Sequence, residues 1–213
     1  MLQSPIPMKL LSLRTLALAA SAFIALSAVR AADTAAPNFV SIFNGKDLTG
    51  WKPNGDTSIW SVQDGALVGR SNPQRKGSTI DTEKTYKNFI IECDVKYLPP
   101  ADSGIEFRMP RLQMQIGTSA SLRTELTGSF YLGALSYTDD STAKDTWKVL
   151  KHGDWNHIRL EARGAIFTVW INGQMVHRYA DAGHPDAGPI SLQVHDNFDM
   201  KIEFKNIRLA ELK

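Results

Sequence analysis

From position 39 onward, apolar residues recur at every second position rather than every third or fourth. That period is the signature of strands with one face buried, and no stretch carries a capped helical pattern. In 89–97, Phe89, Ile91, Cys93 and Val95 share one face, while Ile90, Glu92, Asp94 and Lys96 share the other. Residues 157–163 set Ile158 and Leu160 against Arg159, Glu161 and Arg163. Asp64-Gly65, between 60–62 and 66–69, and Asn172-Gly173, between 166–171 and 174–178, are two-residue hairpin turns. Two further strands, 188–195 and 200–209, close the chain. About a dozen short antiparallel strands separated by turn residues predict an all-β sandwich or jelly roll, a single domain over 39–213. Residues 99–104, 117–127 and 138–154 read as loops.

Most polar stripes on such strands only meet water. Arg159/Glu161/Arg163 and Lys201/Glu203/Lys205 mix long charges of both signs and fit a solvated face. The stretch SGIEFRMPRLQMQI over 103–116 is different. Glu106 and Arg108 oppose Ile105 and Phe107; beyond Pro110, Gln113 and Gln115 oppose Leu112, Met114 and Ile116. In 191–195 the polar face is Ser191, Gln193 and His195. Amides offer a donor and an acceptor together, which suits sugar hydroxyls. Carboxylate, guanidinium and imidazole supply proton transfer and charge stabilisation. If the three strands are neighbours, these side chains line one groove; if not, they are an exposed polar face.

Residues 1–31 stand apart from this pattern. Lys9 and Arg14 precede an apolar run over 16–26, and Val29-Arg30-Ala31 is an acceptable cleavage signal. The run is too short to span a bilayer and reads as a secretory signal peptide, followed by a linker over 32–38. Removing Lys9, Arg14 and Arg30 from 24 basic residues leaves 21 against 22 acidic ones. A near-neutral mature chain without a spanning segment gives no support for nucleic-acid or membrane binding. Cys93 is the single cysteine, so no internal disulfide forms and the thiol reads as a small core residue. Export without disulfides suggests a bacterial periplasmic or secreted protein.

Glu92 and Asp94 form an E-x-D pair, but the position that would complete E-x-D-x-x-E holds Tyr97. Two carboxyls about 5 Å apart would suit retaining glycoside hydrolysis. No G-x-S-x-G elbow occurs. His195-Asp196 with Asp199 leaves a divalent metal open, although no H-E-x-x-H is present. No organic cofactor is expected.

Several motifs follow one another in a recognisable order: Phe43-Asn-Gly-Lys-Asp-Leu-Thr-Gly-Trp51, Trp60-x-Val62-x-Asp64-Gly65, Ser103-Gly104-Ile105 and Thr127-Gly128-x-x-Tyr131. Trp155-Asn156, Trp170-Ile-Asn172-Gly173, Gly188-x-Ile190-x-Leu192-Gln193-x-His195 and Phe204-x-Asn206-Ile207 complete the series. Together they resemble the 3-keto-disaccharide hydrolase domain family over nearly all of the mature chain. The resemblance implies a concanavalin-like jelly roll with a concave carbohydrate groove, acting on glycosides oxidised at C3. A ketone at C3 acidifies the C2 hydrogen, so a base can remove it and the C1 substituent can leave; water then adds back. Under that resemblance His195, Glu106, Arg108 and Tyr131 are the catalytic candidates. Gln113, Gln115, Gln193 and Asp94 are the substrate-binding ones. The chain departs from the family at Gln113, where a glutamate is usual. Either the acid role has moved to Glu106, or the domain binds carbohydrate without turnover.

The exported protein should begin at Ala32. Intact-mass measurement of the secreted chain checks this, and a mature form retaining Lys9 and Arg14 would contradict it.

Overall fold

Alternation becomes strand wherever the chain supplies it. The computed structural model describes residues 36–108, 112–133, 136–137, 146–184 and 186–213. The leader expected over 1–31, most of the linker over 32–38, and the first part of the loop expected over 138–154 lie outside the described residues. In chain order the strands are β1 (Val40–Ser41), β2 (Trp51–Gly55), β3 (Trp60–Gln63), β4 (Ala66–Arg70), β5 (Ser78–Tyr86) and β6 (Phe89–Tyr97). Then come β7 (Asp102–Phe107), β8 (Leu112–Ser119), β9 (Thr124–Glu125), β10 (Phe130–Gly133) and β11 (Ser136–Tyr137). The series ends with β12 (Asn156–Arg163), β13 (Ile166–Ile171), β14 (Gln174–Ala180), β15 (Gly188–Val194) and β16 (Lys201–Glu211).

Among the described residues these strands build two antiparallel sheets of eight. The first has the order β14-β13-β12-β6-β16-β4-β3, with β1 against β16. The second runs β11-β10-β8-β7-β15-β5-β2, with β9 against β8. This is the expected all-β jelly roll. The three polar strands of the sequence, β8, β7 and β15, are adjacent at the centre of the second sheet.

The sheets are held face to face by aromatic contacts. Phe107 of the second sheet meets Phe89 and Phe167 of the first edge-on, with ring centroids 5.7 and 5.4 Å apart. Phe130 of β10 joins them, 5.9 Å from Phe167. The edge-to-face geometry adds to the burial of each large ring. On β6 the predicted apolar face, Phe89, Ile91, Cys93 and Val95, is buried throughout. Burial pushes the Cys93 thiol up, which makes it inert.

The turns follow from local chemistry. Asp64 and Gly65 have φ of 49° and 76°, and Asn172 and Gly173 have 50° and 84°. Both central residues are left-handed, as a type I′ hairpin requires. The opening motif at 43–51 is also a turn. Asn44 Oδ1 accepts from the amides of Lys46 and Asp47 at 2.8 and 3.0 Å, while Trp51 Nε1 donates to the Ile42 carbonyl at 2.7 Å. Hydrogen bonds from Asn44 and then Thr49 hold the Asp47 carboxyl at about 2.

Three expectations change. The segments 99–104 and 117–127 are not wholly loop, because the β7–β8 ladder extends to Asp102 opposite Gly117. A single helical turn stands at 146–149, within the expected loop. The Arg159 stripe is not merely solvated: Arg159 Nη1 and Arg208 Nε donate to the two oxygens of the buried Glu92 at 2.7 and 2.8 Å. Burial alone would raise the Glu92 carboxyl, but those two guanidinium groups outweigh it and the net shift is downward.

Phe107→Ala should destabilise the fold by about 3–5 kcal/mol, read by urea unfolding. Asp94 is also depressed, burial being outweighed by hydrogen bonds from His157 and Asn206. A depressed carboxylate contributes stability above its unfolded value, near 4, and loses it as pH falls through the folded value. Melting temperature should therefore drop on acidification below about pH 4, and Glu92→Gln should flatten that acid limb.

Candidate functional site

Period two turns Glu106, Gln113, Gln115, Ser191 and Gln193 to the face of the second sheet away from the aromatic core. Register then aligns them. Lys52, Asp81, Ser191, Glu106, Gln113 and Tyr131 form one cross-strand row, each directly opposite the next. Four residues along, about 13 Å at ~3.3 Å per residue, the His195 amide donates to the Asp102 carbonyl at 3.2 Å.

Hydrogen bonds link these two levels. Gln193 Nε2 donates to Glu106 Oε1 at 3.1 Å. Gln113 Nε2 donates to Gln193 Oε1 at 3.1 Å and to Gln115 Oε1 at 3.0 Å. Gln115 Nε2 donates to Asp102 Oδ1 at 2.7 Å, and the Ala120 amide donates to Asp102 Oδ2 at 2.7 Å. Glu106, Gln113, Gln115 and Asp102 are all buried. Gly104 makes the arrangement sterically possible: a Cβ there would lie 2.6 Å from Gln113 Nε2 and 2.7 Å from its Cγ. The missing side chain is the slot in which Gln113 lies.

Over this floor is a cleft of about 500 Å³. Gln113, Gln115, Gln193, Tyr131, His195 and Asp102 line it, with a wall from Ala120 and Ser121 and another from 196–198. A second cleft of about 440 Å³ continues past Gln193 and His195 toward Asn54 and Thr79. His195 Nδ1 lies 2.7 Å from the Asp196 carbonyl oxygen and 3.2 Å from its carboxylate. A carbonyl only accepts, so Nδ1 carries a proton and neutral His195 keeps its lone pair on Nε2. The site thus sets an imidazole beside three glutamine amides in one cleft.

Five of the eight sequence candidates line this cleft: His195, Tyr131, Gln113, Gln115 and Gln193. Glu106 does not line it and reaches it through Gln193. The expectation for Arg108 is corrected. β7 ends at Phe107 and Arg108 has φ of 48°, so alternation stops and its side chain leaves the polar face. Its guanidinium caps the core over the Phe167 ring and donates to the carbonyls of Lys87 and Gly164. Asp94 is corrected likewise: it belongs to β6 of the other sheet, 2.9 Å from His157 Nδ1 and 2.6 Å from Asn206 Nδ2. Asp199 lines a separate cleft with Arg70 and Lys96, not that of His195. Among the described residues no three His, Cys, Asp or Glu side chains gather closely enough to hold a metal ion.

Asp102 and Phe198 also line the cleft and are not among the sequence candidates. Asp102 lies in the segment 99–104, which its prolines and glycine predict as loop, yet it shares parity with Gly104 and Glu106, and extending the alternation two residues back finds it. Phe198 and Ser121 carry no sequence signal, because loop closure brings them in.

Comparison with known proteins bears on this arrangement. The family profile described as 3-keto-alpha-glucoside-1,2-lyase-like domain matches residues 38–210. A candidate glycosyl hydrolase from Parabacteroides distasonis ATCC 8503 has a similar crystal structure, with TM-score 0.59 and 24% identity over 82% of this chain and 94% of that one. The carbohydrate-binding module CBM66 from Bacillus subtilis matches with TM-score 0.52 and 17% identity, over 76% of this chain and 96% of that one. At these identities the two structures establish a shared fold. A search of curated proteins finds no match.

Gly104→Ala should push Gln113 out of its slot and cost about 1–3 kcal/mol in urea unfolding, although it adds one methyl group. An unchanged midpoint would show that Gln113 has room to lie elsewhere.

Proposed function

The chain belongs to the 3-keto-alpha-glucoside-1,2-lyase-like domain family, and from that premise we propose that it cleaves 3-keto-glycosides by elimination across C1 and C2. The observation that carries the reading is His195. It lines the cleft beside three amides, with Nδ1 tied to Asp196 and Nε2 left as the base. His195 Nε2 takes the C2 proton, acidified by the C3 ketone. The electron pair of the C2–H bond forms the C1–C2 double bond, and the C1–O bond breaks. The Tyr131 hydroxyl is the proposed acid for the departing oxygen. Water then adds to the glycal to give the free 3-keto sugar. Gln113, Gln115 and Gln193 hold ring hydroxyls and keep the sugar in register with the base. Such a base contributes about 10²–10⁴-fold.

The leader expected over 1–31 fits a protein that meets its sugar outside the cytoplasm, so export to the periplasm or medium is part of the proposal. A second reading, carbohydrate binding without turnover, draws on Gln113, an amide that cannot take a proton, at the middle of the floor.

The purified protein, mixed with an aryl 3-keto-glucoside, should release the aglycone. His195→Ala should lower kcat by about 10²–10⁴-fold while leaving the melting curve unchanged. Saturable binding without release would establish the second reading and remove the lyase.

A further inference from the structure

The floor of the cleft has a fixed hydrogen-bond polarity. Asp102 and Glu106 are carboxylates and accept, so Gln115 and Gln193 must turn their nitrogens toward them. Both amides therefore present oxygens to position 113. The nitrogen of Gln113 meets these two oxygens and a third acceptor, the Ser103 carbonyl at 3.4 Å. Only a donor satisfies that corner. The other end of the amide is then set: among the described residues Gln113 Oε1 accepts no hydrogen bond, and Gln113 lines the cleft. His195 Nε2 is a second acceptor at the same cleft. Its acidic residues are Asp102 and Asp196, and no Lys or Arg is among its described lining residues.

We propose that Gln113 determines specificity. Glu106 and Asp102 lock its amide with the nitrogen inward and the oxygen outward, so that the floor takes a hydroxyl donor from an uncharged sugar and rejects sugars bearing carboxylate or phosphate. The inference rests on the reading of the cleft as a keto-sugar site. It also gives Glu106 a definite part: it is a positioning residue, directly opposite Gln113 on the neighbouring strand, which takes the nitrogen of Gln193 and so leaves the Gln193 oxygen to be met by a donor at 113. A carboxylate at 113 would face three acceptor oxygens and lie beside Glu106. It fits only if the acid at 106 is neutralised, which frees Gln193 to reverse its amide.

The test measures binding of methyl 3-keto-glucoside and of methyl 3-keto-glucuronoside by calorimetry, with aglycone release followed in parallel. Wild type should bind the neutral sugar at least tenfold more tightly than the glucuronoside. Gln113→Met keeps the size but removes the acceptor, and should lose about tenfold in affinity for the neutral sugar. Gln113→Glu should lose more, and the exchange Glu106→Gln with Gln113→Glu should recover most of that loss. If Gln113→Glu does not fold, the methionine variant and the sugar pair decide. Equal binding of the two sugars, or Gln113→Glu binding as tightly as wild type, overturns the proposal. Binding with the expected selectivity but no release removes the lyase and leaves this inference standing. No binding of either sugar removes both.

Discussion

Phe107 packs edge-on between Phe89 and Phe167, and that contact decides which way β7 faces. Neighbouring residues on a strand point to opposite sides, so burying Phe107 and Ile105 sends Glu106 outward and leaves Gly104 over the site. The same constraint acts on β8, where Leu112, Met114 and Ile116 are buried and Gln113 and Gln115 emerge on the other face. A slip of one residue would drive a carboxylate and two amides into the aromatic core. The register that protects the core is therefore also the register that assembles the cleft.

From there the site is a matter of direction more than of charge. Two buried carboxylates stand at the ends of a chain of three glutamines, and each amide is oriented by its neighbour. Such a network is stable only when every donor meets an acceptor, because a buried polar group without a partner costs about 1–3 kcal/mol. Gly104 belongs to the same device, since it clears the volume that Gln113 fills. The catalytic candidate, His195, lies at the far end of the chain, where β15 has ended and the backbone can turn to meet Asp196.

On the outer face of the other sheet the same residue types pair with one another. Glu92, Arg159 and Arg208 form a partly buried ion cluster, and Asp94 closes with His157 and Asn206. The E-x-D pair in β6 thus has partners that account for both carboxylates. The difference from the cleft is the absence of a floor of neutral, oriented amides.

The sequence by itself determined β3, β4, β6, β12 to β16, the two hairpin turns and the buried face of β6, because period two and left-handed turn residues are local properties of the chain; it did not show β5 or the ends of β7 and β8. It also singled out Gln113, Gln115, Gln193 and His195, whose amide-rich character is unlike an ordinary solvated stripe. It could not place Arg108 or Asp94. Arg108 leaves the face through a single left-handed residue at a strand end, and Asp94 belongs to a strand that folds into the opposite sheet. Nor could it find Phe198 or the wall at 120–121, which arrive from loops joined to the site by long-range closure. Only the tertiary structure decided the direction of the glutamine amides. That direction depends on which strand lies beside which: β7 and β8 are neighbours in sequence, but β15, which carries Gln193, pairs with β7 from near the end of the chain.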